Sequence, residues 1–122
     1  MAVSEEFLNY VVDQFRELGA VATRKMFGGV GVYFDGKFFA LLDNDELYLK
    51  ADDSNRSRFE DAGTHPFEPW EGHVMSGYWS VPVDVLEDPG ALAEWSQHSI
   101  KIAKAPKKKP ANKKGGTRKP KR

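Results

Sequence analysis

Cysteine is absent from the 122 residues. That removes disulfides, thiolate metal ligands and cysteine nucleophiles together, and it fits a reducing compartment. Long apolar runs are missing too. The longest, Phe38–Leu42, is five residues, far below the roughly 20 that span a bilayer. The opening Met-Ala-Val-Ser-Glu-Glu has neither the basic nor the apolar region of a secretory signal. A cytoplasmic protein with no membrane association is therefore expected. Acid is missing from residues 104–122, since all 18 Asp and Glu lie between Glu5 and Glu94. Ten of the 18 Lys and Arg fall in that last stretch, so the formal zero charge divides into a body of −10 and a tail of +10. A protein basic along its whole length is excluded. So is a wholly disordered chain, because the body is rich in aromatic and branched side chains.

Signatures of catalysis are also lacking. Ser76 sits in Met-Ser-Gly rather than in a Gly-x-Ser-x-Gly elbow. Gly28-Gly29-Val30-Gly31 is not followed by Gly-Lys-Ser or Gly-Lys-Thr and precedes strand pattern rather than a helix, so no helix N-terminus is aimed at a phosphate. These glycines are expected to bend or bulge a strand. His65, His73 and His98 match no compact ligand spacing. No catalytic residue, metal or cofactor is expected.

What is present is a change of period. Phe7, Leu8, Val11, Val12, Phe15 and Leu18 keep i, i+3, i+4 spacing behind Ser4 as cap, which predicts a helix over 4–18 stopped by Gly19. Alternation then takes over. Strands are expected over 21–27, 30–34, 37–42 and 46–50, with Asp35-Gly36 as a hairpin turn and Asp43-Asn44-Asp45 as a second. A short helix carrying Phe59 follows. Residues 64–77 are punctuated by Pro and Gly, with Phe67 and Trp70 as expected anchors. Tyr78–Val81 reads as a last strand and 82–86 as one helical turn. Asp88-Pro89 starts a terminal helix running to about 104 and ended by Pro106. The fold class is α+β: a bent antiparallel meander, its sheet built from 20–50 and 67–81, packed against N- and C-terminal helices. Core residues should include Phe7, Val11, Phe15, Leu18, Phe39, Leu41, Leu47, Leu49, Leu92 and Trp95. Trp70, Tyr78 and Trp79 read as core more readily than as a stacking platform.

Arg24-Lys-Met-Phe-Gly-Gly-Val-Gly31, followed by Val-Tyr-Phe-Asp-Gly and Leu-Tyr-Leu-Lys-Ala-Asp, and later Tyr78-Trp-Ser-Val-Pro and Leu86-Glu-Asp-Pro, resemble the N-terminal domain of the TfoX/Sxy competence-regulator family. The resemblance covers roughly 4–104. It implies a bent antiparallel sheet with helices packed on it. It also implies a link to bacterial transcription control, where full-length members promote competence-gene expression alongside a cyclic-AMP receptor protein. A single-domain member is expected, with residues 1–104 as the folded body and 105–122 as a disordered Lys/Pro-rich tail.

Two sets of residues are candidate contact sites. Arg24 and Lys25 are adjacent on one strand and so point to opposite faces. They read either as protective charge on an exposed strand or as a contact for a partner such as a transcription-machinery protein. The tail bases Lys104, Lys107, Lys108, Lys109, Lys113, Lys114, Arg118, Lys119, Lys121 and Arg122 suit contact with nucleic-acid phosphates without base reading. A solvated tail, or one folded back on the acidic body, is the alternative. The expected function is a non-enzymatic regulator whose body docks a protein and whose tail holds nucleic acid. A protein-interaction module without nucleic acid is the second reading, and an enzyme of unknown type the last.

Overall fold

A computed structural model describes residues 3–26 and 28–103. The tail and its ten bases lie outside the described residues. Helix α1 (Glu5–Gln14) begins where Ser4 Oγ accepts the Phe7 amide at 3.1 Å, with Glu5 and Glu6 in the first turn, the placement the helix dipole favours. The helix is shorter than expected. Phe15–Glu17 tighten into a 3-10 turn before Gly19 at φ 131°. The Ser4 amide donates to Asp45 Oδ1 at 2.7 Å, which ties this helix start to a sheet turn.

Strands β1 (Ala22–Met26), β2 (Gly29–Phe34), β3 (Lys37–Asp43) and β4 (Glu46–Lys50) form the expected meander. Both tight turns use positive φ, at Asp35 and Gly36 and at Asn44 and Asp45, as primed hairpin turns require. Helix α2 (Arg56–Asp61) ends before Gly63 at φ 79°. Residues 67–81 join the sheet as expected, despite the Pro and Gly that punctuate 64–77. They supply most of β5 (Pro66–Trp70) and all of β6 (His73–Ser80), joined at Gly72 with φ 87°. Helix α3 (Val83–Leu86) is one turn. Helix α4 (Pro89–Ile102) is capped by Asp88, whose carboxylate accepts the Gly90 and Ala91 amides at 3.1 and 3.2 Å. It stops at extended Ala103, three residues short of Pro106.

The six strands form one antiparallel sheet in the order β1-β2-β3-β4-β6-β5. Cross-strand register puts Val30, Leu42 and Leu47 in one row and Val32, Ala40, Leu49 and Trp79 in the next. All seven are buried, and they share the face covered by Val11, Phe15, Phe59 and Leu92 of the helical layer. Each fully buried Leu or Phe here contributes about 1.5–3 kcal/mol relative to exposure. Two polar bonds fix the helices, one to the sheet and one between helices. Ser99 Oγ donates to the Lys50 carbonyl at 2.8 Å, and Gln14 Nε2 to the Leu86 carbonyl at 2.8 Å.

Three expectations about packing need correction. Strict alternation put Phe39 and Leu41 on the same, core-facing side. The register instead jumps from Val32–Ala40 to Tyr33–Phe38, leaving Phe39 as the extra residue of a β-bulge. The bulge sends Phe39 and Ala40 to the helices and Leu41 to the opposite face, where it is half-buried. This bulge is separate from the glycine cluster, where Gly28 at φ 81° bends the chain between β1 and β2 as expected. Phe7, Leu18 and Trp95 pack on the margin of the core rather than within it. Trp70, expected to anchor, is 64% exposed, because the arm that carries it projects beyond β4.

Candidate functional site

The helix-free face of the sheet carries the chemistry. Arg24, Gly31, Leu41 and Tyr48 lie in one cross-strand row of this face. Tyr33 stacks on Phe38 with centroids 5.2 Å apart, Phe38 meets Tyr78 at 5.8 Å, and Tyr48 meets Phe67 at 4.9 Å. The Lys50 ammonium sits 5.1 Å from the Tyr78 ring centroid, a cation–π placement. Strand β6 pairs with β4 only through Tyr78, Trp79 and Ser80. Below Tyr78, β5 and β6 leave the sheet as a two-stranded arm that curls over the aromatic face. Between arm and floor lies a half-open cavity of about 480 Å³, lined by Met26, Phe38, Leu41, Phe67, Met75 and Tyr78, with Pro69, Trp70 and Asp43 also on its wall.

Glycine keeps the floor of this cavity low. A Cβ on Gly31 would stand 2.8 Å from Met26 Cε and 3.0 Å from Phe38 Cε1, and one on Gly29 would strike the Leu42 carbonyl oxygen. Neither glycine has a positive φ. Their need is close approach of neighbouring atoms, not an unusual backbone.

Beside the cavity, Glu46 gathers two donors. Tyr48 Oη donates to Glu46 Oε1 at 2.9 Å, and His65 Nε2 lies 3.1 Å from Glu46 Oε2. His65 Nδ1 is 3.1 Å from the Pro66 carbonyl. Partial burial lowers the His65 pKa, but the Pro66 carbonyl and the Glu46 carboxylate outweigh it and hold the imidazole above its ordinary value. Burial, with the Glu46 hydrogen bond and charge, pushes the Tyr48 phenol well above its usual range. Tyr78 is raised mainly by burial. A phenol held neutral beside an ionised glutamate is a donor, not a nucleophile.

A second polar cluster joins α2 to α4. Ser54 Oγ donates to Asp52 Oδ1 at 2.5 Å and lies 3.0 Å from His98 Nε2. The Ser54 hydroxyl and amide, with His98 and Arg56, hold the Asp52 carboxyl below its ordinary value. In a catalytic triad the carboxylate orients the histidine. Here the serine hydroxyl and amide donate hydrogen bonds to the carboxylate, which closes the turn ahead of α2. Among the described residues no three His, Asp or Glu side chains converge as metal ligands. Among them, too, no helix is long and apolar enough to cross a membrane.

Arg24 and Lys25 occupy the middle of β1, an edge strand, and both are exposed. Register confirms that they face opposite ways. Arg24 opposes Gly31 on the cavity side, and Lys25 opposes Val30 on the helix side. Neither makes an ion pair among the described residues, whereas Arg16, Arg56 and Arg58 pair with Asp13, Asp53 and Glu94. The structure thus separates the two rather than forming one basic patch. Lys104, Lys107, Lys108, Lys109, Lys113, Lys114, Arg118, Lys119, Lys121 and Arg122 lie outside the described residues. The cavity was missed from sequence. Its signal was the spacing Phe67, Trp70, Met75, Tyr78 around Glu71-Gly72, a hairpin with apolar positions on both arms.

Helices on one face of an antiparallel sheet and an aromatic cavity on the other define an α+β domain. Residues 13–103 match the TfoX N-terminal domain, and the chain belongs to that family. It is similar to the DNA transformation protein TfoX1 of Aliivibrio fischeri (strain ATCC 700601 / ES114), with 33% identity over 100 residues. That similarity covers 80% of this chain and 46% of the relative, so the chain spans about half the length of the curated relative it matches.

Proposed function

We propose that the protein is a non-enzymatic regulator linked to DNA transformation, whose body docks a protein partner through the β1 edge at Arg24 and Lys25 and whose tail contacts nucleic acid without sequence preference. The observation that carries this reading is the division of charge: −10 over residues 1–103 and +10 over 104–122. Family membership and the similarity to a DNA transformation protein support a regulatory role. Lysines act as point charges on phosphate, and only Arg118 and Arg122 in the tail offer the bidentate fork that reads guanine.

The test is a salt-titrated duplex-DNA isotherm on the native chain and on one with all ten tail bases replaced by Gln. Log K should fall with log salt at a slope of about −0.9 per phosphate engaged, with roughly 3–6 phosphates engaged because the acidic body repels DNA. The neutralised chain should lose most of that slope while its melting temperature stays the same. Equal binding by the two chains moves the DNA contact to Arg24 and its surroundings. No binding by either at low salt leaves the body as a protein-interaction module alone.

A further inference from the structure

The arm formed by β5 and the lower part of β6 is unusually placed for its composition. Its last bond to the main sheet is the Ala51 amide on the Gly77 carbonyl at 2.8 Å. From His73 to Ser76 it pairs only with β5, and that pairing slips twice, between Pro66 and Phe67 and between Phe67 and Trp70. A two-stranded hairpin is marginal by itself in water. This one also leaves Trp70, Val74 and Met75 exposed at 64%, 54% and 38%. Phe67 and Met75 line the space opposite Leu41 and Phe38, and that space is large enough for a small ligand, for which cavities of roughly 300–1,000 Å³ are typical.

We propose that this cavity is a binding site for a small, neutral, planar aromatic molecule, clamped between Phe38 and Leu41 of the floor and Phe67 and Met75 of the arm. Ring edges and thioethers are the partners a flat π-system favours. Every lining residue other than Asp43 is uncharged, which suits an uncharged ligand, and the −10 of the body further disfavours an anion. A planar occupant supplies the apolar surface that the arm lacks on its inner side. Binding and arm ordering are therefore linked, each favouring the other. This site uses neither the tail nor Arg24 and Lys25, although Met26 of β1 lines it.

The probe is N-phenyl-1-naphthylamine, a neutral fluorescent aromatic, titrated into the full chain under native conditions. The expected result is saturable binding of one molecule per chain. Amide shifts should move at Phe38, Leu41, Met75 and Tyr78, and hydrogen exchange should slow over 73–77. Leu41→Trp fills the floor. Met75→Glu places a charge on an arm position that is already partly exposed and so preserves the fold if the first variant does not. Each should weaken binding by about tenfold or more, with unchanged shifts in α1 and α4. Absence of saturable binding up to millimolar probe overturns the proposal. So does equal binding by both folded variants, or shift changes confined to the helical layer. Concentration-dependent dimerisation that moves the same amides without probe overturns it in favour of a second copy of the chain as occupant.

Discussion

The Phe15 ring meets the Phe39 ring edge-on, with centroids 5.5 Å apart and planes at 73°. Phe15 opens the 3-10 turn that ends α1, and Phe39 is the bulged residue of β3. Two irregularities, one in a helix and one in a strand, thus meet at one fully buried contact. Truncating either ring, as Phe15→Ala or Phe39→Ala, should cost about 3–5 kcal/mol in urea unfolding. The double variant should fall short of additivity by about 0.5–1.5 kcal/mol, the share owed to the ring pair itself. Strict additivity would show that the two rings are buried separately and do not couple.

Gly29 and Gly31 should respond differently to the same substitution. At Gly29 an added methyl meets the Leu42 carbonyl, a backbone atom that cannot yield without breaking the β2–β3 register. At Gly31 it meets the Met26 thioether methyl, the far end of a flexible chain, together with the Phe38 ring edge. Gly29→Ala should therefore cost more than about 1 kcal/mol, and Gly31→Ala less, in the same urea experiment. Equal costs would mean that the sheet relaxes around both.

His65 should titrate above its ordinary value of about 6.5, because the Pro66 carbonyl and Glu46 outweigh burial. A folded-state pKa above the unfolded one makes the contribution to stability fully present below about pH 6.5. It is lost as pH rises through the folded value. Glu46→Gln should bring the His65 ring resonances back toward the ordinary titration midpoint in an NMR pH series. It should also flatten the stability profile just above pH 6.5. An unchanged midpoint in that variant would assign the shift to the Pro66 carbonyl alone.

Much of the fold was legible because local signals and tertiary needs agree. Ser4 and Asp88 cap the helices they were expected to cap. Asp35-Gly36 makes the turn its φ preferences favour, and the four-strand meander follows from period-two alternation. The failures share one cause. Alternation is blind to a bulge, so Leu41 was put in the core when Phe39 is the residue that breaks phase. Residues 67–81 were expected in the sheet, but Pro66, Pro69 and Gly72 hide where the two strands break, and only pairing with β6 shows the hairpin. The cavity depends on how that hairpin curls back over Leu41, a contact between distant segments that no local pattern encodes. Arg24 and Lys25 were separable from sequence alone, since a strand must point neighbours apart.

The sheet has two open margins, and they are guarded by different chemistry. At β5, Pro66 and Pro69 have no amide hydrogen to offer an incoming strand, a barrier that ionic strength does not touch. At β1 the guard is the exposed pair Arg24 and Lys25, a repulsion between like copies that salt screens within about 10 Å at 0.1 M. Pro66 and Pro69 weaken strand addition at β5 at any ionic strength, whereas the charge on β1 weakens as salt rises, so solution conditions reach the two margins of the sheet differently.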